Sequence, residues 1–203
     1  MKNVSPKRPR TRVAVFVIVA VVALLLDRLT KLWAQAALGD GKTVIVIPRF
    51  LGLTLIHNPG ASLGMGSSVT WLISCLALVA CVALVYLALT TVSLWWTAAL
   101  TIAFAGAFGN LIDRVIFAHG FLNGKVVDFL NYGWSVGNVA DIELGIAAVL
   151  IIILLLVNVP FSAKDVKDGD DSGDAHNPND SQERKNIQEE PVKAVEDRGA
   201  DGR

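Results

Sequence analysis

Few of the residues that build metal sites or disulfide frameworks occur in this chain. It has two cysteines and three histidines in 203 residues, and the histidines are scattered. Cys75 and Cys81 are six positions apart in one apolar run, which places them on different faces of a helix. We therefore expect two separate buried thiols and not a disulfide. No zinc-type spacing of cysteine and histidine is present, so the sequence predicts no metal site and no cofactor.

Charge is also scarce away from the two ends of the chain. Hydrophobic residues make up 53% of the sequence and the mean hydropathy is +0.53, which is too apolar for an ordinary soluble domain. Of the 18 acidic residues, 12 lie from Phe161 onward, whereas the part up to Pro160 has more basic than acidic residues. The zero net charge therefore hides a basic membrane part and an acidic tail. We expect membrane lipids around this protein and no nucleic-acid partner.

Four apolar runs are long enough to cross a bilayer, because a spanning helix needs about 20 apolar residues. They predict an all-α polytopic membrane protein with a membrane domain at 13–160 and spans at about 13–38, 69–89, 94–117 and 139–159. The basic segment 1–12 and the run after it resemble a signal peptide, but no small-residue cleavage site follows, so we interpret the run as a retained span. The basic flank places the N-terminus in the cytoplasm.

The segments outside the spans are of two kinds. The tail, 161–203, has no aromatic residue after Phe161 and no core-forming pattern, so we expect it to be disordered and, after four spans, cytoplasmic. The outer loop, 39–68, contains two β-like runs, TVIVIP and FLGLTLIHN, which favour a small β-rich hairpin or sheet at the outer membrane surface. The glycine-rich stretch NPGASLGMGSS after them is expected to be irregular.

Two carboxylates mark the stretch from Lys125 to Ile142. Asp128 and Asp141 each lie at the edge of an apolar run, where an ionisable side chain is unfavourable and suggests a function. Residues thirteen apart point different ways on one helix, but a break at Gly133 lets one carboxylate end an arm while the other opens a helix. Two carboxyls that share one proton suit aspartyl hydrolysis. The alternative is one helix cap and one surface acid.

Further polar residues in other segments are predicted to lie at the same depth, near the outer face. Asn110 in the third span and Asn138 at the start of the fourth each lie three residues before an aspartate, so each pair shares a helix face. Hydrogen-bonded contacts between helices are the alternative explanation, but they account less well for four carboxylates at one face. The converging residues are Asp27 in the first span, Asn58 in the outer loop, Asn110, Asp113 and Arg114 in the third span, and Asn138 with Asp141 in the fourth.

Five short motifs carry these residues. They are D-R-L-T-K at Asp27–Lys31, N-P-G-A at Asn58–Ala61, G-N-L-I-D-R at Gly109–Arg114, V-V-D-F at Val126–Phe129 and N-V-A-D at Asn138–Asp141. In this order and spacing they resemble the bacterial lipoprotein signal peptidases, the type II signal peptidases, which are intramembrane aspartyl proteases. Each motif alone is weak, but all five together are highly specific, and the resemblance covers about Val13 to Pro160.

The resemblance implies four transmembrane helices in the bacterial cell membrane, both termini in the cytoplasm and an active site near the outer face. It implies cleavage of prolipoproteins on the amino side of a diacylglyceryl-modified cysteine, by a protein that we expect to be a monomer. The catalytic pair that it implies is Asp128 and Asp141, acting on a water without a metal. The supporting residues that it implies are Asp27, Lys31, Asn58, Gly60, Asn110, Asp113, Arg114, Asn138 and Ala140.

The chain departs from the family pattern at three places. After the N-P-G-A motif the family commonly has a small residue and then phenylalanine, and here Ser62 and Leu63 follow. Gly137 replaces the phenylalanine that usually precedes the N-V-A-D motif, and Ile142 replaces the serine that usually follows it. None of these changes removes a catalytic group, so we expect them to affect local packing and the shape of the pocket.

Other functions were weighed against a peptidase. A proton-coupled transporter or channel also uses intramembrane carboxylates, but it needs polar groups through the bilayer, and the inner halves of these spans have essentially none. A structural membrane subunit would keep its function in Asp128→Asn and Asp141→Asn variants. A presenilin-type protease would have Tyr-Asp and Gly-x-Gly-Asp motifs, which are absent. For Lys31 and Arg28 we expect side chains that snorkel to the interface, and for Asp27 a loop anchor is the alternative.

Overall fold

The computed structural model describes residues 9–39, 41–60 and 65–165 of the chain. The chain divides into two compact units, Met1–Ser162 and Ala163–Arg203, and almost all of the described residues belong to the first. The prediction of a disordered tail therefore concerns residues that lie mostly outside the described part. The same holds for most of the basic N-terminal segment.

Four helices form the body of the first unit. They are α1 (Pro9–Ala37), α2 (Thr70–Thr90), α3 (Leu94–Ile116) and α4 (Val139–Leu156), and a 3-10 turn at Ser67–Val69 leads into α2. All four are long and apolar enough to cross a membrane, which confirms the prediction of four spans. Many of their large apolar side chains are exposed, as expected for helices that face lipid.

A small antiparallel sheet accompanies the helices. Its strands are β1 (Val44–Ile47), β2 (Leu51–Asn58), β3 (Val126–Asn131) and β4 (Val136–Gly137), in the order β1-β2-β3-β4. β1 and β2 correspond to the two predicted β-like runs, so the small β element is confirmed. β3 and β4 were not predicted as strands. β3 pairs with β2, which lies far earlier in the chain, and a local sequence pattern does not reveal such a distant partner.

α3 is the central helix and packs against the other three. In its most apolar stretch 61% of the residues are buried inside the protein, against 17% to 22% for the other helices. The approach of α4 to α3 depends on Gly106, where a methyl group would lie 2.5 Å from the carbonyl oxygen of Ala140. Small residues at such contacts let membrane helices pack closely. The position of the first turn of α4 is therefore set by α3.

At the end of the helices away from the sheet, polar side chains join the helix termini. Arg12 Nη1 donates to the carbonyl oxygen of Thr91, next to the last residue of α2, at 2.5 Å. The indole nitrogen of Trp96 donates to the carbonyl oxygen of Val159 at 3.0 Å. The hydroxyl of Thr91 donates to the carbonyl oxygen of Phe161 at 2.8 Å. Because α1 begins earlier than the predicted span, Arg12 is part of the helix and reaches α2.

Candidate active site

Asp128 and Asp141 line one cavity of about 540 Å³ at the end of the helices where the sheet lies, which we call the sheet end. Asp128 comes from the middle of β3, where it pairs with Ile56 of β2, and Asp141 lies in the first turn of α4. The chain turns between them at Gly133, whose φ of 86° favours glycine. The structure therefore brings the two predicted carboxylates to one open space, although the first lies on a strand.

Asp128 is 2% exposed and accepts hydrogen bonds from two amides. Asn58 Nδ2 donates to its Oδ2 at 2.9 Å, and Asn138 Nδ2 donates to its Oδ1 at 2.5 Å. Burial raises the pKa of the Asp128 carboxyl to about 6, the hydrogen bond from Asn58 opposes this shift, and the negative charge of Asp141 adds to it. Burial therefore outweighs the amide donors and favours the protonated form.

Asp141 is exposed, lines the cavity and belongs to the N-terminal cap of α4. Its N–H donates to Asn138 Oδ1, and the N–H of Asn138 donates to Asp141 Oδ2, each at 3.1 Å. This reciprocal pair is a capping box. The remaining oxygen, Oδ1, accepts a hydrogen bond from Asn110 Nδ2 at 3.0 Å. The helix dipole stabilises a negative charge at this position.

Two asparagine side chains connect the carboxyls. Besides its bond to Asp128, Asn138 Nδ2 donates to Asn110 Oδ1 at 3.0 Å, and Asn110 in turn donates to Asp141. Lys31 Nζ donates to the same Asn110 oxygen, also at 3.0 Å. Because an ammonium group cannot accept a hydrogen bond, Lys31 fixes this amide with its oxygen inward and its nitrogen toward Asp141. The two carboxyls are thus held by one chain of oriented amides.

Behind the asparagines lies an ion cluster formed by Asp27, Arg28, Lys31 and Asp113. Lys31 is 2% exposed, and its ammonium nitrogen lies 3.0 Å from Asp27 Oδ2 and 2.8 Å from Asp113 Oδ2. The guanidinium of Arg28 pairs with Asp113 and donates to the carbonyl oxygen of Gly109 at 3.3 Å. Our expectation that Lys31 and Arg28 snorkel to the interface was wrong. Asp27 and Asp113, both buried, hold Lys31 inside the protein and pair with Arg28, whose side chain is 25% exposed.

The ion cluster also holds the backbone beside each catalytic candidate. Asp113 Oδ2 accepts a hydrogen bond from the N–H of Val127, which directly precedes the first candidate, at 3.2 Å. Asp27 Oδ1 accepts one from the N–H of Ala140, which directly precedes the second, also at 3.2 Å. Asp27 therefore anchors α4 and not a loop. Of the four predicted carboxylates, Asp27 and Asp113 bind cations and backbone N–H groups, whereas Asp128 and Asp141 line the cavity.

Arg114 and Asn58 shape the segment that follows β2. Arg114 Nη2 donates to the carbonyl oxygen of Gly60 at 2.9 Å, and Asn58 Oδ1 accepts a hydrogen bond from the N–H of Gly60 at 2.9 Å. Arg114 Nη1 also donates to the carbonyl oxygen of Asn110 at 3.3 Å. All four residues line the cavity. The departures from the family pattern after this segment, at positions 62 and 63, lie outside the described residues.

The glycine that replaces the usual phenylalanine lies at the edge of the site. A methyl group at Gly137 would lie 2.8 Å from Asp141 Oδ2 and 3.5 Å from a ring carbon of Tyr132. The ring of Tyr132 therefore fills the space beside position 137, and it lines the cavity with both carboxyls. Sequence reasoning missed Tyr132, because the stretch at Gly133 was interpreted only as a break between the two carboxylates. An aromatic residue so close to the paired acids was the available signal.

Sequence reasoning also missed Glu143, a buried acid of α4. It is 7% exposed, on a face of α4 that it shares with Ala140 and Ala147, and its Oε2 has no hydrogen-bond partner among the described residues. The signal was an acid two positions beyond Asp141, inside an apolar span. In the part of the chain that the structure describes, no group of three or more histidine, cysteine, aspartate or glutamate residues is arranged to hold a metal ion.

Four helices long enough to span a membrane and two carboxyls on one open cavity fit the class of membrane-embedded aspartic hydrolases. The family model described as signal peptidase (SPase) II matches residues 19–157. The lipoprotein signal peptidase of Bifidobacterium adolescentis is 64% identical over 166 residues, which cover 82% of this chain and 88% of that protein. The lipoprotein signal peptidase of Rhodococcus jostii is 38% identical over 159 residues, which cover 76% of this chain and 80% of that protein.

Solved structures show the same likeness. One, described as a bacterial membrane enzyme structure by the in meso method, is 34% identical with a TM-score of 0.61, and the match covers 70% of this chain and 88% of that chain. A second structure with the same description has a TM-score of 0.60 at 34% identity, and the match covers 70% of this chain and 92% of that chain. The chain therefore belongs to the signal peptidase II family and is an aspartic-type peptidase.

Proposed function

We propose that this chain removes signal peptides from prolipoproteins, and that it cleaves on the amino side of a diacylglyceryl-modified cysteine. The observation that carries the proposal is the pair of carboxyls, Asp128 and Asp141, on one cavity and joined by oriented amides. The relatives named lipoprotein signal peptidase support the substrate class. A site at the edge of the bilayer suits such a substrate, because its diacylglyceryl group stays in lipid while its peptide bond meets water.

The surroundings of the two carboxyls support different roles for them. Asp141 lies in the first turn of a helix and accepts hydrogen bonds from the Asn138 N–H and from Asn110 Nδ2, an arrangement that suits a carboxylate acting as a base. Asp128 is buried, and its raised pKa favours the neutral form. We therefore assign the role of acid to Asp128 and the role of base to Asp141, with the proton shared by the pair when it reacts.

The reaction then needs only water and these two groups. Asp141 accepts a proton from a bound water as the water oxygen attacks the scissile carbonyl carbon, and Asp128 donates its proton to the carbonyl oxygen. As the C–N bond of the tetrahedral intermediate breaks, the proton on Asp141 passes to the leaving amine. A hydroxyl of the intermediate returns a proton to Asp128. The products are a carboxylic acid and an amine, and no covalent enzyme intermediate forms.

The lining of the cavity supports an orientation for the substrate. Ala77, Ala107 and Leu144, from three different helices, are apolar lining residues and suit the acyl chains. Tyr132 and Ser135, from the connection between β3 and α4, are polar lining residues and suit the peptide. The basic flank before α1 favours a cytoplasmic N-terminus, which places the sheet end at the outer face and both termini inside.

The test is cleavage of a diacylglyceryl-modified prolipoprotein by the purified protein in detergent, followed as a gel shift. Wild type is compared with Asp128→Asn and Asp141→Asn, and with Asp165→Asn, a matched control in the second unit. We expect cleavage by wild type and by the control alone. Cleavage that survives in either of the two other variants contradicts the dyad. Folded wild-type protein that does not cleave contradicts the whole proposal.

A further inference from the structure

Tyr132 adjoins the paired carboxyls but takes no part in the amide chain that holds them. Its ring carbon Cε2 lies 3.5 Å from the point where a Cβ of Gly137 would be, and Asp141 Oδ2 lies 2.8 Å from that same point. The ring and the carboxylate therefore flank one small space at the end of β4. Tyr132 also lines the cavity that contains both candidate catalytic residues.

The ring of Tyr132 is held in place by its surroundings. Its backbone N–H donates to the carbonyl oxygen of Ser135 at 2.8 Å, which closes the tight connection between β3 and β4. The ring stacks on Trp134, with centroids 6.0 Å apart and planes inclined by 29°. A side chain supported in this way loses little conformational entropy when a ligand binds, so it is preorganised for contact with a substrate.

The hydroxyl of Tyr132 is available as a donor. It has no hydrogen-bond partner in the part of the chain that the structure describes, although the ring is only partly exposed. Burial raises the pKa of the hydroxyl, and the negative charges of Asp141 and Asp128 raise it further. The group therefore keeps its proton at neutral pH. Because Tyr132 lines the cavity, its hydroxyl is free to donate to a ligand that accepts a hydrogen bond there.

We infer that Tyr132 is a substrate-positioning residue, whose hydroxyl donates a hydrogen bond to a main-chain carbonyl of the bound prolipoprotein. The inference rests on the proposed function. It names the peptide as the partner, because Tyr132 lies beside Asp141, which acts on the peptide bond, whereas the hydrocarbon of the acyl chains carries no acceptor and suits apolar lining residues such as Ala77, Ala107 and Leu144. The hydroxyl binds a carbonyl next to the scissile one, so it contributes equally to the bound substrate and to the transition state.

The test is the kinetics of Tyr132→Phe with a diacylglyceryl-modified prolipopeptide in detergent. The substitution keeps the ring and its stacking on Trp134 and removes only the hydroxyl. We expect KM to rise about three- to tenfold, the range for one neutral hydrogen bond, with kcat within about twofold of wild type. Tyr86→Phe, at the other tyrosine of the chain, removes the same group from an exposed site on α2 and should leave both constants unchanged.

The remaining outcomes overturn the inference in distinguishable ways. A wild-type KM in Tyr132→Phe shows that the hydroxyl does not contact the substrate. A lower kcat at unchanged KM shows that it acts on the reacting atoms and not in positioning. In both cases wild type still cleaves, so the proposed function stands and only the role of Tyr132 fails. If folded wild type does not cleave the prolipopeptide, the proposed function fails, and the inference fails with it.

Discussion

Replacing Lys31 with methionine tests whether the ion cluster holds the active site together. The substitution keeps an unbranched side chain of similar length and removes the ammonium group. It leaves Asp27 and Asp113 with only Arg28 as a cation among the described residues. It also removes one of the two donors to the amide oxygen of Asn110, of which Asn138 is the other. Both stability and catalysis should therefore change.

The magnitude follows from the burial and partners of Lys31. The side chain is 2% exposed, and its ammonium has two carboxylates and one amide oxygen as partners. Removing one member of a buried ion pair costs about 3–5 kcal/mol, whereas an exposed pair contributes about 0–1 kcal/mol. We expect the unfolding temperature to fall on the order of 10 °C. We expect kcat of the folded variant to fall roughly 100-fold, because the Asn110 amide that donates to Asp141 is then held by Asn138 alone and positions Asp141 less well.

The assay is thermal unfolding in detergent, followed by tryptophan fluorescence, together with prolipoprotein cleavage well below the unfolding midpoint. Lys125→Met is the matched control, because Lys125 is exposed just before β3 and outside the ion cluster. An unfolding temperature equal to that of wild type would refute the stabilising role of the cluster. A wild-type kcat in folded Lys31→Met would refute the orientation of the Asn110 amide by Lys31.

Three other substitutions test separate parts of the structure in the same unfolding assay. Glu143→Met should raise the unfolding temperature, because it removes a buried carboxyl whose Oε2 lacks a partner among the described residues, a deficit of about 1–3 kcal/mol. Arg12→Ala should lower it, because the carbonyl groups at the end of α2 lose a charged donor, about 1.5–3 kcal/mol. As pH rises from about 4 to 6, the free energy of unfolding of wild type should fall by about 3 kcal/mol relative to that of Asp128→Asn.

The sign of the pH effect follows from the raised pKa of Asp128. Below about pH 4 the carboxyl is protonated in both states, and between about pH 4 and 6 only the unfolded chain releases its proton. Wild-type stability therefore falls over this window, and a pH-independent difference from the variant would contradict the raised pKa.

Lower stability of Glu143→Met would reveal a stabilising partner of that carboxyl. Arg10→Ala, at an exposed arginine, is the control for Arg12→Ala, and equal losses would contradict the specific role of Arg12.

Hydropathy and motif order determined much of this protein without a structure. The four spans follow from apolar runs, because the bilayer requires long apolar helices and little else of their sequence. Asp128 and Asp141 were identified because an acid at the edge of such a run is rare, and because five motifs occur together in the order of one family. The strands β1 and β2 showed the alternating or β-branched character that a local pattern can detect.

Only the tertiary structure decided what each polar residue does. β3 forms because it pairs with β2, although α2 and α3 separate the two strands in the sequence. This pairing places Asp128 on a strand. The sequence presents four similar acids, but packing surrounds Asp27 and Asp113 with cations and backbone N–H groups and leaves the other two on the cavity. Lys31 looked like an interfacial side chain until its partners on another helix were known. The charge and hydrogen-bonding state of a side chain depend on neighbours that are distant along the chain, and folding alone brings those neighbours together.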